Sequence, residues 1–116
     1  MNIAQYTKAA SLEEAWELNQ QRSAVVLGGC CWLRLSPQRR IAQAIDLSAL
    51  GLDQIEEGED SFRLGAMVTL GQLEGHDGLA AFTQGAMKEA VRHIVGTQFR
   101  NMATVGGSIS GRFGFS

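Results

Sequence analysis

Two glycine pairs mark the segments of this sequence whose residue types could bind a ligand. Gly28-Gly29 follows the apolar run Ala24–Leu27, and Gly106-Gly107 follows Thr104 near the end of the chain. Glycine has no Cβ, so consecutive glycines can adopt positive φ, and their amides can approach a ligand closely. A concavity of such N–H groups, called a nest, binds anions and phosphate above all. Two nests that face each other would suit a diphosphate.

Polar side chains near the second pair add further donors. Thr104 and Ser108 carry hydroxyl groups, and Arg100 adds a positive charge. Neither segment has the GxxxxGK[ST] pattern of a P-loop or the strand-borne GxGxxG of a Rossmann site. A glycine pair taken alone is also what an ordinary turn uses. The residues by themselves therefore leave two interpretations open, a phosphate site and a pair of turns.

Other residues capable of chemistry favour structural roles. Cys30 and Cys31 are adjacent, so a disulfide between them would be strained, and ordinary thiols are expected. These cysteines do not form a zinc pattern with His76 and His93, so no metal is expected. His76 and Asp77 are neighbours that rarely face each other, and no catalytic residue is predicted. Four clustered acids are expected on a solvated turn: Glu56, Glu57, Glu59 and Asp60.

Composition excludes several classes of protein. The chain has 116 residues, which suits one domain, and its net charge of −2 argues against a nucleic-acid binder. No apolar run approaches the roughly 18 residues that a membrane span needs. The N-terminus lacks the basic and apolar regions of a signal peptide. We therefore expect a cytoplasmic protein without a membrane span.

Sequence periodicity predicts the elements that position the two glycine segments. Ser11 and Glu14 form a capping box before a helix of about eleven residues. The clearest helix covers residues 79–95 and stops at Gly96, and a second capping box opens a short helix at Thr69. The first helix should bury Leu12, Ala15, Trp16 and Leu18. Predicted strands are Ala24–Leu27, Ile41–Leu47 and a hairpin of Ile55–Glu57 with Phe62–Ala66.

Five segments, in order along the chain, resemble the FAD-binding domain of molybdopterin dehydrogenases. This is the domain of the medium, flavin-carrying subunits of xanthine dehydrogenases and carbon monoxide dehydrogenases. The segments are Ser11–Ala15, Leu27–Gly29, Ile45–Ser48, Leu64–Leu70 and Gln98–Gly107. The last of them is the most specific, because it holds the Arg-Asn and Thr-Val-Gly-Gly motifs together.

The resemblance implies a fold, a cofactor and a function. The fold would be α+β, with a small mixed sheet and helices packed on one side. The protein would be a xanthine dehydrogenase-like flavin subunit that relays electrons from 2Fe-2S centres through FAD to NAD or another acceptor. Its partners would be a molybdopterin-binding large subunit and a 2Fe-2S small subunit. The implied cofactor-binding residues are Leu27, Gly28, Gly29, Cys30, Cys31, Trp32, Thr104, Gly106, Gly107, Ser108 and Ile109.

This sequence departs from the family pattern in several places. Cys30 and Cys31 replace a small or hydroxyl residue and a polar one, Ala103 replaces a glycine, and Ser108 replaces an asparagine. The family's domain continues beyond this length, so the resemblance covers its N-terminal part, and the chain alone is expected to be inactive. Residues 1–55 would form a first subdomain, and residues 56–116 would begin a second. An alternative is a non-catalytic remnant or assembly module that holds no flavin.

Overall fold

Five strands and six α-helices make up the part of the chain described by the computed structural model, residues 2–36 and 40–114. The strands are β1 Asn2–Lys8, β2 Ala24–Leu27, β3 Arg40–Asp46, β4 Ile55–Glu57 and β5 Phe62–Leu64. The helices are α1 Leu12–Leu18, α2 Leu70–Gly75, α3 Asp77–Phe82, α4 Ala86–Val91, α5 Thr97–Arg100 and α6 Val105–Gly111. Within these described ranges, no helix has the length and apolarity to cross a bilayer.

A parallel three-stranded sheet carries the first glycine segment. Its order is β1-β3-β2, and the register pairs Lys8 and Leu27 with the same residue, Asp46 of β3. Parallel strands end at a common edge, where α/β proteins bind ligands in the crevice beyond the strands. Gly28 follows Leu27 at this edge. β4 and β5 form a separate antiparallel hairpin, so the predicted α+β class is confirmed, with the strands divided between two small sheets.

Strand β1 was not predicted from the sequence. Its sequence lacks the alternation of apolar and polar residues that marks a half-buried strand, and nearly all of its side chains are exposed. It is held mainly by its backbone pairing with β3, whose Ile41, Ala44 and Ile45 are fully buried. The central strand β3 could be predicted because its buried residues lie in a largely apolar run. The edge strand β1 has no such run and could not be predicted from its sequence.

The apolar residues form two clusters. The smaller one joins α1 to the parallel sheet through Ala9, Ala15 and Ile45. The larger one includes Val68 and fills the space between α2, α3, α4 and the turn before α6. Cys31, next to the first glycine pair, packs into the larger cluster and so connects the chain after β2 to the helices of that cluster. The division at residue 55 stays a prediction.

Helix α1 is shorter and less buried than predicted. Half of its capping box is confirmed, because the Ser11 hydroxyl accepts a hydrogen bond of 3.0 Å from the Glu14 amide. The return bond from the Glu14 side chain to the Ser11 amide is not found among the described residues. The helix ends at Leu18 after seven residues instead of about eleven. Leu12 and Trp16 were expected to be buried but are 58 % and 66 % exposed. A helix of only two turns packs one narrow face against a three-stranded sheet, and Ala15 occupies that face.

The predicted helix over residues 79–95 is two helices, α3 and α4. The chain takes the left-handed conformation at Gln84 and Gly85, with φ of 54° and 82°, and this ends α3. The Gly85 amide donates to the Ala80 carbonyl at 2.8 Å, as in a Schellman motif. Within the predicted apolar pattern, Leu79, Val91 and Ile94 are buried. Phe82 and Val95 are 57 % and 68 % exposed, so the apolar spacing was only partly right about the buried side and wrong about continuity. The second capping box is complete, with Thr69 and Gln72 each accepting from the other's amide.

Candidate functional site

The two glycine segments lie against each other, as predicted. A Cβ built on Gly29 would lie 1.7 Å from the carbonyl oxygen of Met102, and one on Gly28 would lie 2.8 Å from the Thr104 hydroxyl oxygen. At these distances an added Cβ would overlap the neighbouring oxygen, so a side chain at either glycine would force one of the two segments to move. The first segment therefore needs glycine where it crosses the second, although the two are more than 70 residues apart in sequence.

Close packing, and not left-handed backbone, explains the glycines. None of the four has φ in the left-handed region, so that part of the sequence interpretation is wrong. In the first segment the positive φ belongs to Cys30, at 59°. In the second, a Cβ on Gly106 would lie 2.8 Å from the Ala66 carbonyl oxygen. The glycines let three stretches of backbone come together.

A cavity of about 480 Å³ opens between the two segments. Ten of the eleven residues implied by the resemblance line it, and the eleventh, Ile109, lies outside that lining and is 74 % exposed. The ten are Leu27, Gly28, Gly29, Cys30, Cys31, Trp32, Thr104, Gly106, Gly107 and Ser108. The fold thus assembles one concave surface from both segments.

The second segment uses its amides within the protein. Four consecutive amides, Val105–Ser108, donate hydrogen bonds of 2.8 to 3.1 Å to the carbonyls of Val68, Ala66 and Thr104 and to the Thr104 hydroxyl. This segment is the first turn of α6, capped by Thr104 and docked on the chain before α2. The expectation of a second nest is therefore wrong, because these N–H groups already have acceptors.

The first segment keeps its amides available. Among residues 2–36 and 40–114, the N–H groups of Gly28, Gly29 and Cys30 have no hydrogen-bond acceptor. Backbone donors of this kind need a partner, either water or a ligand. They belong to residues that line the cavity, and Ser108 lines it from the opposite segment. Backbone amides and a serine hydroxyl are groups that can donate to a diphosphate, and the free backbone donors come from one segment, not two.

Arg100 does not contribute charge to the cavity. Its guanidinium is buried, with Nε 2.7 Å from Glu74 Oε2 and Nη1 3.2 Å from the Ile94 carbonyl oxygen. Nη2 contacts the Thr97 hydroxyl at 3.4 Å, and Arg100 is not part of the cavity lining. The expectation that it adds positive charge to a phosphate site is wrong, because an acid 26 residues earlier in the chain pairs with it.

An aromatic wall of Trp32, Phe99 and Phe113 forms one side of the cavity. The Trp32 ring centroid lies 5.6 Å from that of Phe99 and 5.6 Å from that of Phe113. Sequence reasoning missed the two phenylalanines. Phe99 belongs to α5, and Phe113 lies near the end of the described chain. Their apolar character was visible, but nothing local linked them to Trp32. The wall gives the cavity an apolar surface beside the available amides.

The two thiols in the cavity differ in exposure. Cys30 is partly exposed and its Sγ lies 3.6 Å from the Gly28 carbonyl oxygen, whereas Cys31 is buried against the Phe99 carbonyl. Burial raises the pKa of both thiols, and for Cys30 the neighbouring Cys31 and Asp46 raise it further. Both are unpaired, as predicted, and at neutral pH they are neutral and weak donors.

A carboxylate lies at the sheet edge beside the first segment. Asp46 accepts hydrogen bonds from the Tyr6 hydroxyl and from the Ser48 amide. The Tyr6 hydrogen bond lowers the pKa of Asp46 below its ordinary value, and the same bond raises the pKa of Tyr6. Asp46 therefore stays ionised at neutral pH, and its charge adds to the larger effects of burial and of Cys31 that raise the pKa of the Cys30 thiol.

The remaining candidates lie outside the cavity lining. His76 Nδ1 accepts a hydrogen bond of 3.0 Å from the Leu79 amide and so caps α3. His93 is exposed, as expected. The clustered acids, Glu56, Glu57, Glu59 and Asp60, are exposed on the hairpin and its turn.

Known proteins are similar to this chain in sequence. The family described as "FAD binding domain in molybdopterin dehydrogenase" matches residues 2–113. The chain is 34 % identical over 113 residues to YgfM, an uncharacterized protein of Escherichia coli K12, covering 95 % of this chain and 42 % of YgfM. It is 35 % identical over 111 residues to the nicotine 6-hydroxylase medium subunit of Paenarthrobacter nicotinovorans, covering 90 % and 38 %.

Solved structures show the same similarity. A Cu,Mo-CO dehydrogenase chain superposes with a TM-score of 0.82 at 26 % identity, covering 95 % of this chain and 40 % of that one. A carbon monoxide dehydrogenase chain from Hydrogenophaga pseudoflava has a TM-score of 0.82 at 27 % identity, covering 91 % and 39 %. The present chain thus spans about two-fifths of the length of these relatives.

Proposed function

Because this chain belongs to the family of FAD-binding domains of molybdopterin dehydrogenases, we propose that the cavity between its glycine segments binds the diphosphate of FAD. The membership confirms the family resemblance and identifies FAD as the family's cofactor. The observation that carries the proposal for this chain is the meeting of two distant segments around one cavity of about 480 Å³.

The chain's own residues would hold the diphosphate in an asymmetric way. The amides of Gly28, Gly29 and Cys30 are the available donors, and Ser108 of the second segment lines the same cavity. The second segment supplies shape, since its amides are bonded internally and its glycines admit close approach. The proposed contacts are the ten lining residues, while Ile109 stays a prediction from the resemblance.

The finer function is also a proposal. FAD, when bound, would supply the electron-transfer chemistry, and the protein would supply binding and electrostatics. We propose a flavin subunit of a xanthine dehydrogenase-like enzyme in the cytoplasm, beside a molybdopterin-binding large subunit and a 2Fe-2S small subunit. The electron acceptor would be NAD or another carrier. The medium-subunit name of the nicotine 6-hydroxylase relative supports this role.

A second candidate is an assembly module that holds no flavin. It is favoured by one observation, that the four amides of Val105–Ser108 already have acceptors inside the protein. Such a protein would keep the fold and the contact between the two segments without binding a nucleotide.

Flavin titration separates the two candidates. We expect the protein to bind FAD, measured by flavin fluorescence, and ADP to compete while adenosine does not, because the diphosphate makes the contacts. Ser108→Glu adds a carboxylate to a residue that lines the cavity and should weaken FAD binding about tenfold or more. Ser61→Glu makes the same change on the exposed hairpin turn and should have no effect. Absence of FAD binding would favour the assembly module, and equal competition by adenosine would contradict the diphosphate site.

A further inference from the structure

The ion pair of Glu74 and Arg100 joins α2 to α5, just before the second glycine segment. The Nε to Oε2 distance is 2.7 Å, and Arg100 also donates to the Ile94 carbonyl and the Thr97 hydroxyl. The pair is largely shielded, with Arg100 itself only 9 % exposed. A buried guanidinium needs its partners, because an unpaired buried charge is costly. This pair therefore ties the last residue of α5 to α2.

Residues 66–74, here called the clamp segment, run alongside the second glycine segment from Arg100 onward. The Leu70 amide donates to the Ala103 carbonyl at 2.9 Å, and the amides of Val105 and Gly106 donate back to the clamp segment at 2.8 Å. Thr69 and Thr104 form an antiparallel bridge. The clamp segment thus holds the second glycine segment by backbone bonds along its length, and the ion pair closes one end.

Gly71 marks how tightly the ion-pair end is packed. A Cβ built there would lie 2.4 Å from Asn101 Oδ1 and 3.4 Å from the Arg100 carbonyl oxygen. There is little space for the turn after Arg100 to move toward α2, and the ion pair prevents it from moving away.

The first glycine segment rests on this turn. Gly29 packs directly against the Met102 carbonyl, two residues after Arg100. The position of Met102 therefore determines where the available amides of Gly28–Cys30 lie. A shift of the turn would move these donors although no residue of the ion pair lines the cavity.

We infer that Glu74 and Arg100 are positioning residues for the cofactor site, which hold the turn at Met102 so that the first segment's amides keep their place. This inference rests on the proposed FAD site. It predicts that Glu74 matters for binding as much as Arg100 does. If Arg100 were itself a phosphate ligand, removing Glu74 would leave FAD affinity unchanged or raise it.

A double-mutant cycle tests the inference in the intact protein. We expect Glu74→Gln and Arg100→Met each to weaken FAD binding about tenfold, and the double variant to be no weaker than either, since the residues act as one unit. Arg100→Lys, which keeps a donor for Glu74, should recover part of the affinity. Glu89→Gln breaks the exposed Glu89–Arg92 pair of α4 and is the matched control, with unchanged affinity. Full affinity in Glu74→Gln, or additive losses in the double variant, would overturn the inference.

Hydrogen exchange provides a readout that needs no flavin. In the folded Glu74→Gln variant, the amides of Val105 and Gly106 should exchange faster than in the wild type, because the clamp is released at one end. Unchanged exchange would overturn the inference even if affinity changed. If the wild type binds no FAD, the proposed function fails, and the exchange result still decides whether the ion pair holds the turn. Should Arg100→Met not fold, Glu74→Gln with Arg100→Lys completes the comparison.

Discussion

Cys30 combines three unusual features at one residue. It is a non-glycine residue with a φ of 59°, it lines the cavity, and its amide has no acceptor among the described residues. A left-handed conformation at a side-chain-bearing residue costs free energy and is found more often at functional sites. Burial, Cys31 and Asp46 together raise the pKa of its thiol above the ordinary value. The feature of Cys30 that bears on the proposed site is therefore its backbone, because its thiol is neutral at neutral pH.

Alkylation should report occupation of the cavity at Cys30. The thiolate is the reactive form, so a raised pKa makes iodoacetamide react slowly at pH 7 and about tenfold faster for each pH unit gained below that pKa. We expect saturating FAD to protect Cys30 further, and buried Cys31 to react more slowly than Cys30. Peptide mass spectrometry measures both sites, and Cys30→Ser is the control. An unchanged Cys30 rate with FAD bound would place the flavin elsewhere.

At the scale of elements, backbone packing between loops and helices shapes the site. The first segment crosses the second at Gly29, and the second is docked on the clamp segment at Gly106. Both contacts involve carbonyl oxygens, which cannot move aside as a flexible side chain could. The site therefore depends on glycine at these positions before any ligand is considered.

Gly29→Ala should destabilise the protein, because its Cβ would lie 1.7 Å from the Met102 carbonyl oxygen and one segment must move. We expect a loss of about 3 kcal/mol in the free energy of unfolding, measured with urea. Gly75→Ala is the matched control, since a Cβ there has no neighbour within 4 Å. In the last turn of α2 it should be neutral or stabilise by up to about 1 kcal/mol. Equal effects of the two substitutions would show that the crossing is looser than described.

At the scale of the whole molecule, the cavity lies where the two clusters of apolar residues meet. Its walls come from the edge of the parallel sheet, from the turn after α5 and from α6. A ligand in this position contacts both parts of the described fold at once. Binding should therefore stabilise the entire protein against unfolding.

Thermal unfolding measures this effect. A ligand that binds only the folded state adds about 2.7 kcal/mol at a concentration of 100 Kd. For a chain of 116 residues this corresponds to a rise in Tm of about 10 °C. We expect FAD to produce this rise and Ser108→Glu to abolish most of it at the same concentration. An unchanged Tm under conditions where fluorescence shows saturation would mean that the flavin binds outside the folded core.

Short-range patterns determined much of this protein from its sequence alone. The caps at Ser11 and Thr69 depend on residues three positions apart, and β2–β5 follow from runs of a few residues, so local composition was enough to predict them. The two glycine segments were also visible, and the motifs around them indicated the family. Each of these features depends on residues that lie within about ten positions of one another in the sequence.

Only the tertiary structure decided how the site uses its groups. The partner of Arg100 is 26 residues away, the acceptors for Val105–Ser108 include a strand-to-helix connection, and β1 is defined by pairing with β3. The sequence therefore predicted that two segments meet but not which amides remain available when they do. A backbone amide bonds to whichever acceptor the fold places within reach, and the position of that acceptor depends on the packing of the whole chain.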